Sequence, residues 1–218
     1  MIELESGNFY HIYNRGINGC NLFYSVENYR HFLRLYQKYI DPVAETFAWA
    51  LLKNHFHLLV RIRLESEVIL SSLPIPKYDN MEDYDVKLRK PHLYFSDLFN
   101  AYCKAINKQE ERTGALFERP FRRLLVDQPA YFRNIIIYIH KNPEKHGFTD
   151  NFRHYPWSSY GTILSLKPTR INRHKIIGWF NSIAEFESEH EVFQAYDLFK
   201  DFCLEPEEFM ADKTVFKP

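Results

Sequence analysis

Apolar positions in the first two thirds of the chain switch between a spacing of two and a spacing of three to four. Phe9-Tyr10-His11-Ile12-Tyr13-Asn14 is short, aromatic and β-prone, and it stops at Arg15-Gly16, which predicts a strand ending in a turn. From Val26 to Ile40 the residues Tyr29, Phe32, Leu33, Leu35, Tyr36 and Ile40 form the stripe of an amphipathic helix, and Pro42 ends it. Residues 45–52 and 55–62 read as two strands joined by a tight turn at Lys53-Asn54. Residues 63–91 lack periodicity and carry Pro74, Pro76 and Pro91, the pattern of a long excursion. A second helix is expected from about Tyr94 to Glu111, with Phe95, Leu98, Phe99, Tyr102 and Ile106 on its inner face and Thr113-Gly114 closing it. A strand over Phe121–Val126 follows. Pro129 suits the first turn of a third helix, Ala130 to about Lys141, which should end against Asn142-Pro143.

Strand, helix, strand, strand, helix, strand, helix is the order of an α+β ferredoxin-like layer, an antiparallel sheet with helices on one face. Beyond Trp157-Ser158-Ser159-Tyr160 the pattern becomes helical and acidic, and Ser182-x-x-Glu185 is a capping-box signal for a helix carrying Ile183, Phe186, Phe193, Tyr196 and Phe199. The chain therefore divides into a layered domain over 1–164 and an acidic helical C-terminal extension over 165–218.

Composition sharpens this division. Lys+Arg and Asp+Glu balance at 28 each, yet from Ile176 onward ten acidic residues face three lysines, a net −7 that leaves +7 on residues 1–175. A basic body with an acidic tail leaves a nucleic-acid partner open for the body. With 218 residues, 45% of them hydrophobic, the chain can bury a substantial core. No apolar run reaches the length of a membrane span, and Met1-Ile2-Glu3-Leu4-Glu5-Ser6 is too polar for a signal peptide, so a cytoplasmic protein is expected. Cys20, Cys103 and Cys203 are widely spaced and encode neither a disulfide framework nor a zinc site.

Three features carry candidate chemistry. In a strand, His55 and His57 share one face and Phe56 takes the other, which sets two ligand nitrogens side by side. Two partly exposed histidines on an edge strand are the plain alternative. Tyr138 and Asn142 are four apart and stack on one helical face, where a phenol can serve as nucleophile and an amide oxygen as ligand. Most of the 15 tyrosines must be packing residues, so the pair gains weight only in company. Basic and aromatic residues interleave through Phe117, Arg119, Phe121, Arg122 and Arg123, with Lys104 and Lys108 on the preceding helix, a mix that suits phosphates and unpaired bases. The sequence has no G-x-x-x-x-G-K-[ST], G-x-G-x-x-G or G-x-S-x-G, which argues against nucleotide hydrolysis and serine-hydrolase chemistry.

Five segments, in order, resemble the single-tyrosine HUH transposases and most closely their REP-associated tyrosine transposase branch. They are Tyr10-His11-Ile12-Tyr13-Asn14-Arg15-Gly16, Asn54-His55-Phe56-His57-Leu58-Leu59-Val60, Gly114-Ala115-Leu116-Phe117-Glu118-Arg119-Pro120-Phe121, Tyr138-Ile139-His140-Lys141-Asn142-Pro143 and Trp157-Ser158-Ser159-Tyr160. The resemblance covers about residues 8–160. It implies a divalent metal, Mg²⁺ or Mn²⁺, held by His55 and His57, with Asn142 at the position where relatives usually carry a glutamine. It implies Tyr138 as the nucleophile and single-stranded, hairpin-containing DNA as the partner, with Arg15, Lys104, Lys108, Arg119, Arg122 and Arg123 as candidate DNA contacts. The expected activity is cleavage and rejoining of single strands through a 5′-phosphotyrosine, which needs no ATP. This chain has Leu52-Lys53 before Asn54 where many relatives have Met-Pro. A replication or conjugation nickase would use the same chemistry; a hairpin-binding protein without catalysis and a metal site with a water nucleophile are the other readings. Relatives include monomers and dimers that exchange the tyrosine helix, so a homodimer is left open.

Overall fold

The computed structural model describes residues 2–69, 72–73 and 88–192. Four strands, β1 (Phe9–Arg15), β2 (Ala44–Leu51), β3 (His55–Ile62) and β4 (Arg122–Val126), form one sheet in the order β2-β3-β1-β4, antiparallel throughout. Helices α1 (Val26–Tyr39) and α2 (Pro91–Gln109) connect them in the ferredoxin-like order the sequence predicts. The expected excursion over 63–91 lies largely outside the described residues. Helix α2 begins three residues ahead of its expected start, because Pro91 occupies its first turn, where a missing N–H is harmless.

Alternation along β1 and β3 sends two sets of side chains to opposite faces. Tyr10, Ile12, Phe56, Leu58, Val60 and Ile62 join Phe32 and Tyr36 of α1 and Phe95, Leu98 and Tyr102 of α2 in one buried cluster. Tyr13, Phe47, Ala50 and Leu59 face a second cluster built on Ile135, Ile136 and Ile139 of α3 (Pro129–Lys145). The two crossover helices thus share a face as expected, and the third helix lies on the other. β3 is buried almost throughout, so its sheet needs apolar cover on both sides.

Three further helices, α4 (Tyr160–Leu164), α5 (Arg173–Trp179) and α6 (Ile183–Val192), complete that second layer, with Ile163, Ile176, Phe180 and Phe186 buried against α3. The Ser182 hydroxyl accepts from the Glu185 N–H at 3.0 Å, as the capping signal anticipates. Phe193, Tyr196, Phe199 and Cys203 lie outside the described residues; Cys20 and Cys103 are free thiols. Among the described residues no helix is long and apolar enough to cross a membrane.

Candidate active site

The site lies on the α3 face of the sheet, at the start of β3. Its support begins at Gly16, whose N–H donates to the Asn54 carbonyl at 2.8 Å and pins the β2–β3 turn beneath the end of β1. The sequence suggests that Gly16 serves a turn conformation, but its φ of −65° is open to any residue. Space is the reason for glycine: a Cβ here would fall 1.9 Å from the Cys20 carbonyl oxygen.

From that turn β3 places His55 and His57 on one face, 3% and 2% exposed. Opposite them stands α3. The expectation that this helix stops at Asn142-Pro143 is corrected: it runs to Lys145 with Pro143 inside its last turn. The missing proline N–H removes one helical bond, while His146 N–H still donates to Asn142 O at 3.0 Å and Phe148 N–H to Pro143 O at 2.8 Å. Asn142 therefore keeps a helical position one turn after Tyr138.

The two elements meet through polar atoms. His55 Nε2 lies 3.0 Å from Asn142 Oδ1, and His55 Nδ1 lies 2.7 Å from Asn54 Oδ1. If the Asn54 oxygen takes the Nδ1 proton of a neutral imidazole, the His55 Nε2 lone pair faces Asn142, where either the N–H of a turned Asn142 amide or a cation shared with its oxygen satisfies it. A 3.0 Å separation also matches two donors on adjacent corners of a divalent ion with bonds of about 2.0–2.1 Å. The residues therefore fit a divalent metal held by His55, His57 and Asn142, all buried. No three His, Cys, Asp or Glu side chains form a metal cluster among the described residues, so the set depends on the amide.

Tyr138 sits edge-on to His57, with ring centroids 5.5 Å apart, and Lys145 Nζ lies 5.3 Å from the centroid of the tyrosine ring. The tyrosine is 2% exposed, and His146 packs edge-on against His55 at 4.9 Å. Sequence reasoning missed two neighbours on β1. His11, fully buried, has Nε2 3.0 Å from His57 Nδ1, and Tyr13 stacks near-parallel to His57 at 5.7 Å. The available signal was a histidine in phase with Tyr13 and Arg15 on a largely aromatic strand.

A second polar chain braces α3 from behind. Trp49 N–H donates to Ser159 Oγ at 2.9 Å, Ser159 Oγ lies 2.7 Å from His140 Nε2, His140 Nδ1 lies 2.9 Å from His190 Nε2, and His190 Nδ1 lies 2.6 Å from Phe186 O. One assignment satisfies every atom with both imidazoles neutral: each group passes its proton toward Phe186. Burial pushes His140 well below the usual histidine range, and His190 down to about 4.

The candidate DNA contacts separate. Arg122 is exposed and opposite Tyr13 in the β1–β4 ladder, on the face of the site. Arg15, opposite His55, is engaged by the Glu118 carboxylate, and Arg119 is exposed in the adjoining segment. Arg123 turns to the opposite face, its guanidinium 4.9 Å from the Phe121 ring centroid. Lys104 and Lys108 are exposed on α2, across the sheet from the site.

A ferredoxin-like sheet bearing a His-hydrophobe-His strand, faced by the helix that carries Tyr138 and Asn142, is the arrangement the sequence resemblance implies. The chain is similar to REP-associated tyrosine transposases. It is 27% identical over 118 residues to a protein of Haemophilus influenzae named as a REP-associated tyrosine transposase; the match spans 53% of this chain and 58% of that relative. A REP-associated tyrosine transposase solved bound to a REP hairpin shares the fold, with a TM-score of 0.52 at 16% identity over 77% of this chain and 87% of that one. No family model matches the chain.

Proposed function

We propose that this protein is a metal-dependent, single-stranded DNA strand transferase that cleaves hairpin-containing DNA with Tyr138 as nucleophile. The observation that carries the reading is convergence. One turn of α3 sets Tyr138 edge-on to His57 and Asn142 Oδ1 3.0 Å from His55 Nε2.

When bound by His55, His57 and Asn142, a Mg²⁺ or Mn²⁺ ion would polarise the scissile phosphate and offset its developing charge. The chain's own groups supply the remainder. Tyr138 Oη attacks phosphorus; its O–P bond forms as the bond from phosphorus to the 3′ oxygen breaks. The phenolic proton is lost and the departing 3′ oxygen gains one, leaving a 5′-phosphotyrosine and a free 3′-hydroxyl. One phosphate ester replaces another, so a second 3′-hydroxyl can reverse the step and join strands without ATP. A free phenol has a pKa of roughly 10, so its proton must be taken up as the O–P bond forms. Arg122, exposed on this face, would hold the DNA backbone, with Arg119 exposed in the adjoining segment.

Burial of Tyr138 favours a second reading, a hairpin-binding protein without catalysis, because a nucleophile must be uncovered to reach phosphorus. One experiment separates the two. Purified protein and Tyr138→Phe are incubated with end-labelled single strands, with and without hairpins, in Mn²⁺ or EDTA, and run on denaturing gels. A Mn²⁺-dependent covalent band absent from Tyr138→Phe supports the strand transferase; tight hairpin binding with no band under either condition supports the binder.

A further inference from the structure

His55 and His57 are matched as ligand candidates but not in how they are held. Asn54, in the turn, lies 2.7 Å from His55 Nδ1 and fixes that ring from behind. The group that does the same for His57 comes from a different strand. His11 on β1 lies diagonally across the β1–β3 ladder, where Tyr13 is directly opposite His57, and its Nε2 is 3.0 Å from His57 Nδ1. The ring centroids are 5.2 Å apart and the planes differ by 19°; a separation that exceeds the 3.0 Å contact by about the radius of both rings places the two nitrogens along the line between the centroids, as a ring N–H donor requires.

We infer that His11 is a positioning residue that sets the tautomer of His57. The inference rests on the metal reading above for its purpose, but not for its geometry. The contact admits two proton arrangements. If His11 Nε2 donates, His57 carries its proton on Nε2, and that nitrogen cannot ligate. If His57 Nδ1 donates, His11 Nε2 accepts, and His57 Nε2 keeps the lone pair a cation requires. Only the second arrangement makes His57 equivalent to His55. An outer partner on the second nitrogen is the usual way a metal-binding histidine is oriented.

His11 has little freedom to do otherwise. It is fully buried, its ring is near-parallel to Tyr13 with centroids 5.0 Å apart, and it meets Tyr138 edge-on with ring centroids 6.0 Å apart. The residue thus touches both the ligand candidate and the candidate nucleophile, and it couples β1 to a site otherwise built from β3 and α3.

The test uses the full chain and two variants. His11→Gln keeps an acceptor oxygen near the position of Nε2; His11→Phe keeps a flat ring and removes the acceptor. Nitrogen-15 imidazole spectra of the metal-free protein report the His57 tautomer, Mn²⁺ titration followed by electron paramagnetic resonance reports metal affinity, and thermal melting reports the fold. The expected wild-type His57 carries its proton on Nδ1. His11→Gln retains that state, whereas His11→Phe loses it and weakens Mn²⁺ binding by about 10–100-fold. A wild-type His57 protonated on Nε2 overturns the inference, as does a folded His11→Phe that binds Mn²⁺ like wild type. Should His11→Phe fail to fold, the wild-type and His11→Gln spectra still decide. Wild-type protein with His57 protonated on Nδ1 that binds no Mn²⁺ counts against the metal reading and leaves the tautomer assignment standing.

Discussion

Asn142 Oδ1 stands 3.0 Å from His55 Nε2, and this contact ties the last turn of α3 to the first residue of β3. Both side chains are buried, Asn142 completely, so the pair is screened little by water and its loss is felt on both elements. Asn142→Ala leaves a buried imidazole nitrogen without that partner, and the expected destabilisation is about 1–3 kcal/mol. Urea unfolding measures it. In the adduct assay the same variant should lose Mn²⁺-dependent product even where it remains folded.

Gly16 tests the scaffold rather than the chemistry. Its hypothetical Cβ falls 1.9 Å from a backbone oxygen, which cannot swing aside as the tip of a flexible side chain can. Gly16→Ala should therefore displace the Cys20 segment or the Asn54 turn, at a cost of at least about 1–3 kcal/mol. A melting temperature equal to wild type would contradict the packing argument.

His190 gives the fold an acid-sensitive contact. Around it lie His140 and Lys141 from α3, Arg153 from the segment before α4, and Glu189 and Glu191 on α6 paired to Arg133 and Arg153. Burial, with Lys141 and Arg153 adding to it, lowers the folded value to about 4, whereas the unfolded chain takes up its proton near 6.5. The unfolded state binds more protons between those values, so stability is full above about pH 6.5 and declines as the pH falls toward 4. His190→Gln retains an acceptor for His140 and cannot titrate, so its urea midpoint should match wild type near pH 7 and fall less by pH 5.

DNA binding should be uneven around the molecule. Arg122→Ala is expected to weaken hairpin binding and lower the slope of log affinity against log salt by about one, as for a single phosphate contact. Replacing both Lys104 and Lys108 by alanine should leave affinity unchanged, because α2 lies across the sheet from the site. Fluorescence anisotropy over a salt series separates these outcomes. Equal losses in the two variants would mean that the DNA contacts both faces.

Much of the layered domain was legible from residue spacing. Strand β3 is bounded at His55 and Ile62 as expected, and β1, β2, β4 and α1 differ by a residue or so at their ends, because their apolar periods are uninterrupted. Proline misled the reading twice, for the same reason. At Pro91 and Pro143 a break was expected, yet one proline fills a first turn and the other a last turn, where the loss of one N–H bond is tolerated. The Trp157-Ser158-Ser159-Tyr160 segment was recognisable by resemblance alone, and nothing in its spacing revealed that Ser159 joins Trp49 to His140.

By itself the sequence determined which residues share a face: His55 with His57, and Tyr138 with Asn142. Those are local facts, fixed by strand and helix periods that act over a few residues. Only the tertiary structure decided that α3 crosses to the face opposite α1 and α2, that His11 reaches His57, and that His190 braces His140 from α6. Each of these joins residues 46 or more positions apart, and such contacts depend on how both faces of the sheet are covered, a balance of packing that no local pattern encodes.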